Sequence, residues 1–153
     1  MAQGFHLSFA IEGEQQLSRR LIGLGQGVSD MSTPFNETAS FLQGLFSKEV
    51  FTSQGAVLGE QWKRLSPYTI AQKARRGYPS DPLIGSGRMQ NSFQSSSTAT
   101  EAVIWNTSPY FKYHQSKLPR VHLPRRVMMK LGEQQKQQIV KIFQLYLRSL
   151  ANK

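Results

Sequence analysis

The sequence predicts an α+β fold, several helices packed on a small antiparallel β-sheet with a long amphipathic helix at the C-terminus. Three observations predict it. Apolar residues alternate strictly over residues 5–11, two β-rich segments at 92–98 and 101–107 are joined by a short connection, and the spacing of apolar residues elsewhere is helical. The chain has 153 residues, 39% of them hydrophobic and 18% charged. That is the size of one domain, expected to span 1–153, and too apolar for a disordered chain.

In the first element, Phe5, Leu7, Phe9 and Ile11 share one face of a half-buried strand, which leaves His6 pointing outward. From Glu14 the spacing changes to Leu17, Leu21, Leu24 and Val28, a helix weakened at its end by Gly23, Gly25 and Gly27. Thr33 as cap, Pro34 in the first turn and Glu37 near the N-terminus start a second helix over about 34–53. Phe35, Ala39, Leu42, Leu45, Phe46 and Val50 make its stripe, while Phe41 and Phe51 fall off it. This is more apolar surface than one face against a lone core requires.

Residues 54–61 read as a loop leading to Trp62 and Leu65, and Ser66-Pro67 starts a short helix that ends by Arg76-Gly77. Trp62, Leu65 and Ile70 are expected in the core. The stretch from Gly77 to Gly87 is an exposed loop, with a brief helical turn from Ser86-Gly87 to about Phe93. In the hairpin, Val103 and Trp105 share one face and Ile104 the other, with Trp105 expected to pack in the core. Tyr110 to Gln115 is an aromatic segment and 116–122 a polar loop. Leu123-Pro124-Arg125-Arg126 is read as leading into the last helix, whose stripe over 133–151 is Ile139, Ile142, Phe143, Tyr146 and Leu150. Arg125 and Arg126 at the start of that helix would oppose its dipole, which points to an acidic partner or a phosphate beside them.

Charge separates the two ends of the chain. Nineteen Lys and Arg against nine Asp and Glu give +10, but residues 1–60 carry −3 and residues 61–153 carry +13. A localised base of this kind suits a polyanion, an acidic protein surface, or a neighbouring copy whose acidic part meets the basic part. Without cysteine, disulfides, thiol catalysis and cysteine-held metals are excluded. The three histidines, His6, His114 and His122, stand apart at spacings that no metal motif uses, and the few carboxylates form no recognisable acid–base pair, so neither a metal, a cofactor nor an enzyme activity is expected. Gly85-Ser86-Gly87 lacks the spacing and the Lys of a phosphate loop. The first sixteen residues carry no basic region before their apolar stretch, and nowhere do eighteen apolar residues run together. Neither secretion nor membrane spanning is expected.

The landmarks of the chain follow a familiar order. Trp62-Lys63-Arg64-Leu65 precedes Ser66-Pro67-Tyr68-Thr69-Ile70 and Lys73; Leu83-Ile84-Gly85-Ser86-Gly87 comes next; then Tyr110 with His114-Gln115; and Leu123-Pro124-Arg125-Arg126 before the terminal helix. In this order residues 62–151 resemble the phage virion morphogenesis family, the tail-completion or neck proteins of Mu-like and related tailed phages and prophages. The family carries Thr-Gly-x-Leu where this chain has Ser86-Gly87-Arg88-Met89. The resemblance implies a non-enzymatic structural protein of the virion, assembled in the bacterial host cytoplasm. It would form a homo-oligomeric ring, a hexamer for example, at the head–tail junction, as tail-completion protein, tail terminator or neck connector.

Its partners would be further copies of itself, with residues 5–53 as the subunit interface, other connector or tail-tube proteins, and duplex DNA passing through the lumen. Ring interfaces join two different patches, which the charge asymmetry supplies. Arg75, Arg76, Lys117, Arg120, Arg125 and Arg126 are then expected to face the lumen or an axial surface of the ring. The alternative is a sequence-independent DNA-binding protein acting as a free monomer or dimer, which would neutralise phosphates without reading bases.

Overall fold

The computed structural model describes residues 6–10, 30–117 and 122–152. The class is α+β, as the sequence predicts, and the elements occur close to their expected places. Strand β1 is His6–Ala10; α1 is Ser32–Gly44, followed by a π-helical turn, Leu45–Glu49, and a last helical turn, α2, Val50–Thr52. Helix α3 is Pro67–Arg75, β2 is Phe93–Ser97, β3 is Glu101–Asn106, α4 is Phe111–Gln115 and α5 is Glu133–Ala151. The sheet has the order β1-β3-β2. The predicted helix from Glu14, and the face assigned to His6, lie outside the described residues and side chains. Among the described residues no helix is long and apolar enough to cross a membrane.

The helix over 32–52 shows how the chain accommodates an apolar surface wider than one stripe. Val50 N–H donates to Leu45 O, five residues back. A π turn adds one residue to the helix and rotates everything after it by about 100°. Phe51, off the stripe when counted at 3.6 residues per turn, is thereby carried inward and is buried together with Val50. The helix starts two residues earlier than Thr33 predicts. Asp30 accepts the Ser32 N–H at 2.8 Å and also its hydroxyl, so Asp30 satisfies a first-turn amide and Thr33 sits exposed inside the helix.

By contacts the chain divides into two compact units. The described residues of the first are 6, 43–94, 105–117 and 122–130. Its core is aromatic. Phe93 lies 6.2 Å from Phe46, 6.3 Å from Phe51 and 5.8 Å from Phe111, and Phe51 meets Trp62 edge to face at 5.4 Å. Such edge contacts add to the burial of the rings themselves. Leu58, Met89, Val127, Met128 and Met129 complete this core.

The described residues of the second unit are 7–10, 30–42, 95–104 and 131–152. Phe35 of α1 meets Phe143 of α5 edge to face at 5.0 Å, and Tyr146 Oη donates to Asp30 O at 3.2 Å. Ala39, Leu42, Ala102, Ile104 and Ile139 are buried around them. The hairpin turn closes through Thr98, whose hydroxyl accepts the Thr100 and Glu101 N–H groups. Along β3 the residues alternate, with Ala102, Ile104 and Asn106 buried and Val103 and Trp105 half-buried, so Trp105 is not the core residue its size suggested.

Candidate functional site

The family-like landmarks of the sequence meet in the first unit. Residues 126–129 form an irregular segment that is almost wholly buried: Arg126, Val127, Met128 and Met129 are all under 9% exposed. Buried backbone must find partners, and this segment has no sheet to supply them. Side chains do so instead. Gln115 Oε1 accepts the N–H groups of Met128 and Met129 at 2.9 and 3.1 Å, and Gln115 Nε2 donates to Met129 O at 2.7 Å. Trp62 Nε1 donates to Val127 O at 2.8 Å, and Arg126 N–H donates to His114 O at 3.0 Å.

Trp62 is placed by the turn before it. Gly55 adopts φ +84°, and a β-carbon there would stand 2.2 Å from Glu60 O and 2.6 Å from the Trp62 ring. Trp62 N–H closes the turn on Gln54 O at 2.7 Å. Gly87 likewise takes φ +80°, the left-handed backbone ahead of the turn at Gln90–Ser92. Trp62, Gly87, His114-Gln115 and Arg126 are therefore architectural residues. Pro124 is half-buried at the entry to the segment and Tyr110 is exposed.

The basic residues singled out in the sequence differ in burial. Arg75, Arg76, Lys117 and Arg125 are exposed, and Arg120 lies outside the described residues. Arg126 is a correction. It is 4% exposed, and its Nε and Nη2 both donate to Lys63 O, at 3.0 and 2.8 Å, while burial lowers its pKa. Its guanidinium ties residue 63 to the buried segment and is not presented to a lumen. Nor do Arg125 and Arg126 open a helix: α5 begins seven residues later, at Glu133, so the argument from an opposed dipole does not apply. Arg125 Nε donates to Gln115 O at 3.1 Å, which leaves the rest of its exposed guanidinium available. Lys112 adds a further exposed cation, 5.2 Å from the ring centre of Tyr113.

The region around α3 departs most from expectation. Ser66 caps the helix as predicted, its hydroxyl accepting the Thr69 N–H at 3.2 Å, and Pro67 occupies the first turn. No residue of α3 is buried. Ile70, expected in the core, is 40% exposed, and Leu65 is half-buried. The helix is instead held by polar ties. Lys73 Nζ donates to Asp81 O, and Asp81 Oδ1 accepts from Gln54 Nε2 at 3.2 Å. Gln54 and Leu83, which bracket this connection in sequence, both have positive φ, at 51° and 62°.

Beside α3 lies an open cleft of about 320 Å³, lined by Gln54, Arg64, Leu65, Ile70, Ser80, Asp81 and Pro82. It offers apolar contact, one guanidinium and one carboxylate already held by Gln54. Sequence reasoning missed two further features. Glu60 pairs with Lys130 at 2.7 Å across 70 residues, a contact that no local pattern announces. The outward apolar face of α3 is visible in the helical spacing, but spacing alone does not say which way a face points.

No curated protein and no solved structure matches the chain. The sequence pattern of the phage virion morphogenesis family matches residues 13–148, nearly the whole chain and every landmark above, and the chain belongs to that family, whose members are structural proteins of phage assembly.

Proposed function

We propose that the protein is a ring-forming subunit of the head–tail junction, acting in tail completion, as a tail terminator or as a neck connector. The observation that carries this reading is family membership across 13–148, which assigns a role in virion morphogenesis. Exposed base concentrated in the C-terminal part adds support, because a ring through which DNA passes needs cations on its inner wall or end faces. Lys117 and Arg125 line the channel, and Arg75 and Arg76 stand exposed on each subunit. Copies pack head to tail, and other connector or tail-tube proteins seat on the ring above and below.

Electron microscopy of particles from a phage lacking this gene tests the reading. Filled heads and unjoined tails should accumulate, and the wild-type gene supplied in trans should restore joined virions with the tagged protein at the junction. Normal virions without the gene would overturn it. Replacing Lys117 and Arg125 by Glu should give joined particles that lose DNA while the purified protein keeps its fold.

A further inference from the structure

Helix α3 is amphipathic, but it sits the wrong way round. Pro67, Ile70, Ala71 and Ala74 recur at i, i+3, i+4 and i+7, the pattern of an apolar stripe. In an ordinary surface helix that stripe faces the core. Here all four residues are exposed, and the two least exposed residues of the helix are Thr69 and Lys73. Tyr68, 71% exposed, flanks the stripe, and small side chains at 71 and 74 leave room for another backbone to approach closely. Burying an apolar face of this kind is favourable wherever a partner exists, and leaving it in water is not.

Charge identifies the partner. Arg64 precedes the helix and Arg75 and Arg76 close it, all three exposed. The same chain carries exposed carboxylates at Glu37 and Glu49 on the helix over 32–52, and neither is in an ion pair among the described residues. Glu60, by contrast, is already neutralised by Lys130. One chain thus exposes a basic-rimmed apolar helix and a separate helix bearing free acid. These are the two unlike patches that a head-to-tail contact requires.

We propose that the outward stripe of α3 docks on a second copy of this chain, against the acid-bearing helix over 32–52, with Arg75 and Arg76 meeting Glu37 and Glu49. This rests on the ring reading above and gives Arg75 and Arg76 a neighbouring subunit as their partner.

A charge swap tests it by sedimentation velocity on the full chain. One variant carries Arg75→Glu and Arg76→Glu, the other Glu37→Lys and Glu49→Lys. Each alone should fall from the wild-type assembly to the 17.3 kDa monomer, and mixing the two should restore assembly, because alternating copies then match at every contact. Ala71→Glu should also give the monomer, with its circular dichroism and unfolding temperature unchanged. The same added charge on α5, Gln134→Glu, should leave assembly intact. Variants that assemble like the wild type, or a mixture that stays monomeric, would overturn the contact while leaving the junction reading intact. A wild-type chain that is monomeric at every concentration would overturn the choice of a second copy as the occupant.

Discussion

Residues 126–129 and helix α3 belong to the same unit and treat their surfaces in opposite ways. The first is irregular backbone, which ordinarily stays in water, yet it is buried and its peptide groups are paired by Trp62 and Gln115. The second is a regular amphipathic helix, which ordinarily buries its stripe, yet all of it remains at the surface. In the first case side chains are committed to holding the fold. In the second, Ser66, Lys73 and Asp81 hold the helix while its apolar stripe stays exposed. Landmarks such as Trp62 and Gln115 are thus architectural, whereas the exposed stripe of α3 contains Ile70, which the sequence placed in the core.

Substitutions sharpen this contrast because the two regions should respond in different observables. The largest loss is expected at Gly55. Gly55→Ala puts a β-carbon against the Glu60 carbonyl and the Trp62 ring at φ +84°, and should cost about 3 kcal/mol or more, read as a lower midpoint in urea unfolding. Next comes Gln115→Leu, which leaves two N–H groups and one carbonyl of the buried segment without their partner. About 2–4 kcal/mol should be lost, and Gln115→Glu should recover only part of it, since a carboxylate accepts but cannot donate to Met129 O.

Arg126→Met separates the architectural role from a lumen role. It removes the guanidinium from Lys63 O and should lower stability by about 1–2 kcal/mol, whereas Arg125→Met should change stability by less than about 0.5 kcal/mol. A loss at Arg125 equal to that at Arg126 would erase the distinction drawn between them.

The smallest effect is at Glu60. Its carboxyl is held below the ordinary glutamate range, chiefly by the hydrogen bond from Lys130. A folded-state pKa below the unfolded value stabilises the fold above the unfolded pKa, and that contribution is lost as pH falls through the folded one. Both side chains are more than a third exposed, so solvent screens the pair, and Glu60→Gln should cost less than about 1 kcal/mol at neutral pH. The difference from wild type should shrink to nothing as the pH drops through the lowered glutamate pKa, which unfolding curves at several pH values would check.

How much of this was legible in the sequence depends on whether the cause was local. The cap at Ser66-Pro67, the hairpin at 93–106 and the terminal helix follow from spacing and turn chemistry, and they lie where the sequence placed them. Phe51 could be seen to fall off its stripe, but the π turn that brings it inside is a response to packing and has no local signature. Gln115 stood out by position, yet its job depends on a segment thirteen residues away that is buried without being regular. Arg126 was read by its charge, and burial against Lys63 O decides otherwise. Ile70 shows the limit most plainly. Periodicity locates an apolar face, and only tertiary structure says whether that face is turned inward or toward a partner.

The most direct test of the account is the mass of the purified full chain in solution, by light scattering at two protein concentrations and at low and high salt. The account predicts a defined closed multiple of 17.3 kDa at low salt that does not grow with concentration and that loosens as salt screens the contact between acidic and basic helices. A 17.3 kDa monomer under all four conditions would contradict it.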